Sequence, residues 1–291
     1  MKKNIIIAIS VLALVSCSKQ NLSPDEIRFN ITMPEGCTVK AGTRATATSF
    51  ENGDAVSLYA VEYRGADKMP LQIGGNYLNN EKLTFDGGSW TSARTLYWSE
   101  SACDFYALYP YQTSIGSIEN FPFSVSADQN GEGYESSDLL FAKAEAVNRT
   151  DGSVNLQFRH IMSKCRVVLE KGEKFEGEIP DDIVTHIYNT EVDCTVDLSA
   201  GSVEKNPFNS KRTITMKKID KEHFEAVLVP QNVEKRTPLV EITMGGIAYL
   251  LETSLSFRPG YVHTITVTLN TSPDQEMIDI SINPEVNPWN K

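Results

Sequence analysis

The sequence lacks the motifs by which the common enzyme classes are recognised. It contains no GxSxG nucleophile elbow, no HExxH pair, no phosphate-binding glycine loop and no dinucleotide fingerprint. Its 4 histidines, His160, His186, His223 and His263, stand singly, and such residues are usually surface or hydrogen-bonded structural groups. The oxygen-rich run at residues 128–132 lacks the distant glutamate of a calcium loop and is typical of a tight turn. We therefore expect no enzymatic activity, no catalytic residue, no metal site and no cofactor.

Positive charge and long apolar runs are also scarce. The formal net charge is −11, from 27 Lys and Arg against 38 Asp and Glu. An acidic surface keeps a protein soluble and argues against binding to nucleic acid, because the phosphates would be repelled. After Val15 no apolar run approaches the roughly 20 residues that a membrane-spanning helix needs. We therefore predict no second membrane pass in the chain.

Cysteine is rare, and its spacing does not suggest zinc. The chain has 5 cysteines and no CxxC or Cys/His pattern of the zinc-binding type. If Cys17 carries lipid, as argued below, Cys37, Cys103, Cys165 and Cys194 remain, and two disulfides are then possible. Cys165 and Cys194 fall on the apolar side of alternating segments, which favours buried thiols over disulfides.

The first residues have the form of a lipoprotein signal peptide. A positively charged start is followed by an apolar run at residues 4–15, and the small residue Ser16 precedes Cys17. A cysteine at a new N-terminus can carry a diacylglycerol, and a further acyl chain on its amine supplies enough buried methylenes for durable anchoring. We predict that residues 1–16 are removed and that Cys17 is lipidated. The alternative is an ordinary signal peptide with a chance cysteine.

Alternation of apolar and polar residues with period two recurs through the rest of the chain, whereas long helical periodicity does not. The alternation is clearest in Ile27 to Met33, Val192 to Leu198, Ile265 to Leu269 and Ile278 to Ile282. Asn-Gly, Asp-Gly and Gly-Gly pairs, which favour turns, separate such segments. Many short strands with frequent turns indicate an all-β protein of the β-sandwich or barrel type.

We predict two domains with a boundary near residue 162. Residues 17–45 are expected to form the lipid-attached tether and first strand, residues 46–162 an N-terminal β-sandwich domain, and residues 163–291 a C-terminal one. The run at residues 170–183 is highly charged and is interrupted by glycine and proline. We predict a long surface loop there, because a buried strand would not carry so many charges.

Aromatic residues are concentrated in the middle of the predicted N-terminal domain. They are Trp90, Tyr97, Trp98, Phe105, Tyr106, Tyr109 and Tyr111. Their positions on alternating strands indicate packing in the core or at strand edges. A surface on which sugars stack is the alternative interpretation.

An ordered set of short motifs extends over nearly the whole mature length. The motifs are Ile27-Arg28-Phe29, Thr43-Arg44-Ala45-Thr46, Leu96-Tyr97-Trp98, Asp104 to Tyr111, Ser137 to Leu140, Leu156 to Lys164, Leu228 to Gln231, Phe257 to Tyr261 and Pro288-Trp289. In this order they resemble the fimbrillin superfamily, the lipoprotein subunits of type V pili in Bacteroides-type anaerobes. The resemblance implies two tandem β-sandwich domains of transthyretin-like form, and assembly of a lipid-modified precursor into a fimbria.

The resemblance also implies a processing step. In that family an arginine-specific protease cuts between the N-terminal strand and the body, and Arg44 occupies the matching place, with Ala45 as the new N-terminus. The removable strand would bear four inward-facing residues, Ile27, Phe29, Ile31 and Met33. Its removal would open a groove that an extended segment of another subunit fills by strand addition at a sheet edge.

The leading hypothesis is therefore a fimbrial subunit that serves adhesion. The chain is short for a major stalk subunit, which favours a minor or tip-type subunit. The expected partners are other fimbrial subunits, the membrane through the lipid on Cys17, and a host or bacterial surface glycan or protein, but no nucleic acid. The expected location is the outer membrane, with exposure at the cell surface in a fimbria. The alternative is a monomeric surface lipoprotein that binds a glycan or host ligand without polymerising.

Overall fold

The structure is a computed structural model that describes residues 25–33, 49–271 and 280–289, apart from residues 207, 209 and 235. Within these residues the protein is nearly all β, with one short α-helix, α1 (Glu132–Ser136), and one turn of 3-10 helix at Arg149–Asp151. The strands are β1 (Phe29–Thr32), β2 (Ala55–Glu62), β3 (Leu78–Phe85), β4 (Trp90–Ser92), β5 (Cys103–Tyr109), β6 (Phe121–Ser124), β7 (Leu140–Val147), β8 (Val154–Gln157), β9 (Arg159–His160), β10 (Ser163–Lys174), β11 (Val184–Thr190), β12 (Asp193–Asp197), β13 (Ser202–Lys205), β14 (Arg212–Thr215), β15 (Lys217–Lys218), β16 (His223–Leu228), β17 (Gln231–Val233), β18 (Pro238–Met244), β19 (Ile247–Glu252), β20 (Leu255–Phe257), β21 (Tyr261–Thr271) and β22 (Ile280–Pro288). The all-β sandwich fold expected from the alternation is confirmed.

A six-stranded sheet of order β4-β3-β2-β5-β7-β9 has side chains buried on both of its faces. Every residue of β5 is buried, as expected for a strand that is covered above and below. One face contributes Leu58 and Phe105 to a hydrophobic cluster that includes β8 and the segment at residues 27–33. The other face contributes Tyr106 and Phe141 to a larger cluster that includes the C-terminal strands.

The C-terminal strands form mainly a five-stranded sheet, β15-β16-β10-β21-β22, and a four-stranded sheet, β14-β11-β18-β19. Alternate residues of both sheets, such as Val167, Ile187 and Ile265, are fully buried in the larger cluster. Strand β6 precedes the predicted boundary at residue 162 yet pairs with β12, which follows it. The division into two domains stays a prediction, and this pairing joins its two sides.

The predicted surface loop at residues 170–183 is wrong in its first part. Strand β10 continues to Lys174 and remains paired with β21 as far as Thr271. The charged residues are tolerated because this end of β10 extends beyond the core and leaves Glu170 exposed. The remainder follows as a loop held by buried apolar residues, among them Phe175 and Ile179.

Three of the cysteines, Cys103, Cys165 and Cys194, are free and buried. The prediction of buried thiols at Cys165 and Cys194 is therefore confirmed. Burial raises the pKa of both thiols to about 12, so that little of the reactive thiolate is present at neutral pH. Cys37 lies outside the described residues.

A close contact at Gly201 joins the six-stranded sheet to the turn after β12. Gly201 has a φ of 62°, and a Cβ atom there would lie 2.1 Å from the ring of Phe141. The Arg159 guanidinium lies 5.4 Å from the Phe141 ring centroid and donates a hydrogen bond of 2.8 Å to the Gly201 carbonyl. The Phe141 ring is thus close to both a glycine backbone and a cation.

We predict that Gly201→Ala destabilises the protein by about 1–3 kcal/mol more than Gly245→Ala, because only the first adds a methyl group to a filled site. Gly245 is a matched control, since its φ is 57° and no atom would lie within 4 Å of an added Cβ. Denaturant unfolding of the two purified variants measures the difference. Equal destabilisation would show that the backbone conformation alone requires glycine at Gly201.

Candidate functional site

The segment at residues 25–33 lies between two separate parts of the N-terminal half. On one side it runs antiparallel to the chain before β5. The Ile27 amide donates a hydrogen bond of 2.8 Å to the Leu96 carbonyl, and the Trp98 amide donates one of 2.8 Å to the Asp25 carbonyl. These bonds tie the start of the segment to the body of the protein.

On its other side the segment forms β1, which pairs in parallel with β8. The Val154 amide donates to the Arg28 carbonyl at 2.8 Å, and the Phe158 amide donates to the Thr32 carbonyl at 2.9 Å. A parallel neighbour cannot come from a tight hairpin. The sequence accordingly places more than a hundred residues between these two strands.

The side chains of the segment alternate as predicted. Ile27, Ile31 and Met33 are buried, and Phe29 is half-buried with its ring 6.3 Å from that of Phe105 in an edge-to-face arrangement. The intervening residues are exposed, namely Arg28, Asn30 and Thr32. The apolar side chains of the segment therefore pack into the smaller hydrophobic cluster, the one that contains Leu58 and Phe105. The polar side chains of the segment remain in water.

Strand β8 depends on β1 for its backbone hydrogen bonds. Among the described strands β8 pairs with β1 alone, in a sheet of two strands. Its inward side chains, Val154 and Leu156, are fully buried. Loss of β1 would therefore leave a row of free amides and carbonyls beside an apolar trough. Such a groove accepts an extended peptide with alternating apolar residues.

The chain after this segment is anchored independently at Phe50. The Phe50 ring makes edge-to-face contacts with Trp90, Tyr109 and Phe158, at centroid distances of 4.8, 5.5 and 5.7 Å. These three rings belong to the body of the protein. A break in the chain between residues 33 and 49 would therefore separate the first strand from a body that keeps its own anchor.

The predicted lipidation and processing residues lie outside the described residues. They are Cys17, Arg44 and Ala45. Their roles stay predictions, as does the removal of the strand that bears Ile27 and Met33. The structure describes the chain on both sides of the expected cut and not the cut itself.

The aromatic residues between Trp90 and Tyr111 pack mostly in the core. Phe105, Tyr106 and Tyr109 are buried, and of the seven rings only that of Tyr97 is exposed. A sugar-stacking surface needs several exposed rings on one face. The interpretation as core and strand-edge packing is therefore confirmed.

A buried charge network surrounds Glu225, and the sequence analysis missed it. The Glu225 carboxylate accepts hydrogen bonds from the Arg166 Nε at 2.8 Å and from the Tyr134 hydroxyl at 2.5 Å, with the Lys164 ammonium at 3.4 Å. Burial opposes ionisation, but Lys164 and Arg166 outweigh it and hold the pKa of Glu225 at about 2. Alternation along one strand could not reveal this network, because Tyr134 comes from α1, where its ring lies 5.6 Å from the Lys164 ammonium.

The buried histidines have structural partners. The His160 Nδ1 lies 2.9 Å from an Asp138 oxygen, and its ring stacks on that of Trp289 at 4.0 Å. The His263 Nδ1 lies 3.2 Å from the Ser163 hydroxyl. No group of three or more potential metal ligands occurs among the described residues. Within the same residues, no helix has the length and apolarity to cross a membrane.

The family model described as fimbrillin-like matches residues 43–289. The chain belongs to the fimbrillin-like family. The resemblance proposed from the ordered motifs is therefore confirmed.

Several relatives of this fimbrillin-like chain come from Bacteroides species. A Bacteroides ovatus protein assigned as the fimbrium tip subunit Fim1C is 31% identical over 137 residues, which cover 42% of this chain and 24% of that protein. A Bacteroides ovatus crystal structure assigned to cell adhesion has a TM-score of 0.71 at 18% identity, with 92% of this chain and 99% of that chain covered. A similarly assigned structure from Bacteroides uniformis has a TM-score of 0.66 at 22% identity, with 82% and 93% covered. These structures share the fold of the fimbrillin-like chain.

We predict that Ile31→Ala in the uncut fimbrillin-like precursor lowers the free energy of unfolding by about 2–5 kcal/mol, because it opens a cavity under β1. Thr32→Ala is the matched control, since Thr32 is the exposed neighbour in the same strand. Its effect should stay within about 0.5 kcal/mol. Thermal or denaturant unfolding measures both, and equal effects would contradict the inward assignment of Ile31.

Proposed function

We propose that this protein is a subunit of a cell-surface fimbria that assembles by exchange of its N-terminal strand and serves adhesion. The observation that carries the proposal is the dependence of β8 on β1, its one partner among the described strands. A strand that fills a sheet from a distant part of the chain can be replaced by a strand from another subunit. Membership in the fimbrillin-like family supports the fimbrial role.

In this proposal the precursor is anchored in the outer membrane through lipid on Cys17. A cut after Arg44 would release the lipid together with β1 and leave Ala45 as the new N-terminus. The family match begins at residue 43, beside the proposed cut, so the first strand lies outside the matched body. Loss of the anchor and opening of the groove would then be one event.

The energies are consistent with exchange rather than with a permanently open groove. Each of Ile27, Phe29, Ile31 and Met33 contributes on the order of 1.5–3 kcal/mol by burial, and the half-buried Phe29 belongs at the lower end. The sum, roughly 6–12 kcal/mol, is comparable with the whole stability of a typical domain. An empty groove is therefore short-lived, and a strand that enters it is held firmly.

A minor or tip-type position is supported by one relative. The Bacteroides ovatus protein named above, of which the match covers 24%, is assigned as a fimbrium tip subunit. A tip-type subunit would present its surface to a host or bacterial glycan or protein. The competing function, a monomeric surface lipoprotein that binds such a ligand, needs neither cleavage nor strand exchange.

The test treats the purified precursor with an arginine-specific protease and sequences the new N-terminus. We expect a single cut that yields Ala45, and we expect Arg44→Gln to resist it. The cut protein should then form oligomers that resist mild detergent, alone or with fimbrial subunits from the same cell. A cut elsewhere, or a protein that stays monomeric after the cut, would contradict the proposal that this chain assembles by strand exchange.

A synthetic peptide gives the direct measure of groove occupancy. A peptide of residues 25–33 should bind the cut protein and block its oligomerisation. The same peptide with Phe29→Asp and Ile31→Asp should bind at least about a hundredfold more weakly, because two carboxylates would enter an apolar trough. Equal binding of the two peptides would contradict a groove that recognises the apolar stripe.

A further inference from the structure

A cavity opens at the start of β11 in the C-terminal half. Its volume is about 230 Å³, below the roughly 300–1,000 Å³ of pockets that hold drug-sized ligands. Its inner wall is apolar and comes from the buried residues Ile183, Met216 and Phe224. Its rim is polar and exposed, and it includes Asn130 and Asp182. The cavity therefore reaches the surface and has room for one small ligand.

A buried hydroxyl group belongs to the inner wall of this cavity. Thr185 is 1% exposed, and its Oγ1 atom has no hydrogen-bond partner among the described residues. Alternation along the chain turns this side chain inward, since Ile183 and Ile187 are buried too. A buried hydroxyl without a partner destabilises a protein, and a valine of the same shape would avoid this cost. Thr185 therefore points to a ligand that supplies the missing partner.

The rim of the cavity carries charges of both signs. The Lys218 ammonium donates a hydrogen bond to the Asp181 carbonyl, and the Asp181 carboxylate lies 3.0 Å from the Lys221 ammonium. These contacts hold the loop at the rim and leave the Asp182 carboxylate without a cation among the described residues. An anionic ligand would be repelled by Asp182, and a cationic ligand would be repelled by Lys218. The charges therefore favour a neutral ligand whose groups both donate and accept hydrogen bonds.

We propose that this cavity binds the terminal sugar of a glycan, with Thr185, Asn130 and Asp182 as its hydrogen-bond partners. Sugar hydroxyls donate and accept, so one of them pairs with the Thr185 hydroxyl while another donates to the Asp182 carboxylate. The C–H groups of the sugar ring pack against the apolar inner wall formed by Met216 and Phe224. The rest of the glycan leaves the cavity through its open rim.

This site gives the adhesive role proposed above a defined class of ligand, and it rests on that role. It does not depend on cleavage at Arg44, because its lining residues all lie between Asn130 and Phe224. The uncut precursor and the cut protein should therefore bind the sugar equally well. A failure of strand exchange would leave the sugar site intact, and a failure of sugar binding would leave strand exchange intact.

A glycan array probed with the purified full chain tests whether the protein binds a sugar. The array displays glucose, galactose, mannose, fucose, N-acetylglucosamine and N-acetylgalactosamine as terminal sugars. We expect binding to at least one of them, and calorimetry with the free monosaccharide then gives its affinity. A full chain that binds none of these sugars would overturn the proposal.

Thr185→Val separates recognition of the sugar from folding. It should weaken binding of that monosaccharide by about tenfold, since one hydrogen bond is lost. Its thermal stability should stay the same or rise, because valine removes an unpaired buried hydroxyl. Thr213→Val is the matched control, since Thr213 is an exposed residue of the neighbouring strand β14. Unchanged sugar affinity in Thr185→Val would contradict the role of this hydroxyl.

Asp182→Asn tests the rim of the cavity with a substitution at an exposed position. It should weaken sugar binding by at least about tenfold, because a hydrogen bond to a carboxylate is stronger than one to a neutral amide. Glu222→Gln, at an exposed carboxylate outside the cavity, is the control and should bind normally. Sugar binding that survives both Thr185→Val and Asp182→Asn would place the sugar elsewhere on the chain and overturn the proposal. A gain of stability in Thr185→Val, in a protein that binds no sugar, would show that the cavity holds only water.

Discussion

The arrangement of this protein depends on the requirement that the backbone groups of a buried strand be hydrogen-bonded. Strand β8 has fully buried side chains and, among the described strands, one partner, β1. That partner lies more than a hundred residues away in the sequence and is tied to the body by a few backbone bonds and an apolar stripe. The smaller hydrophobic cluster is therefore complete only while some strand occupies this place. The chemistry of the groove does not determine whether the same chain or another chain supplies this strand.

The rest of the fold holds this groove in place. Strand β5 is buried on both faces, so the six-stranded sheet that forms the floor of the groove also supports the larger C-terminal cluster. The contact of Gly201 with Phe141 lies on the opposite face of that sheet. Replacement of β1 therefore leaves the floor of the groove supported from its other side. In the proposed exchange, the subunit would replace one strand and keep its body.

Sequence patterns predicted the alternation in this fold and missed the contacts between distant segments. The period-two pattern placed Ile31 inward and Thr32 outward. It succeeded because alternation depends only on the residues within one strand. It did not predict that β10 continues through the charged residues to Lys174, since a strand that extends past a core no longer needs apolar residues. The pattern also could not show that Lys164 would be buried beside the Tyr134 ring of α1. The predicted lipidation and cleavage residues rest on motifs and on the family resemblance, because such signals are read by other proteins.

The most direct test of the central claim is hydrogen exchange at the backbone of β8. In the uncut precursor the amides of Val154 and Phe158, which donate to the Arg28 and Thr32 carbonyls, should be protected. After cleavage and removal of the first strand they should exchange at least about a hundredfold faster, while the amide of Phe105 in β5 keeps its protection. Addition of the peptide of residues 25–33 should restore the slow exchange. Unchanged protection in the cut, peptide-free protein would contradict the claim that β8 depends on an exchangeable strand.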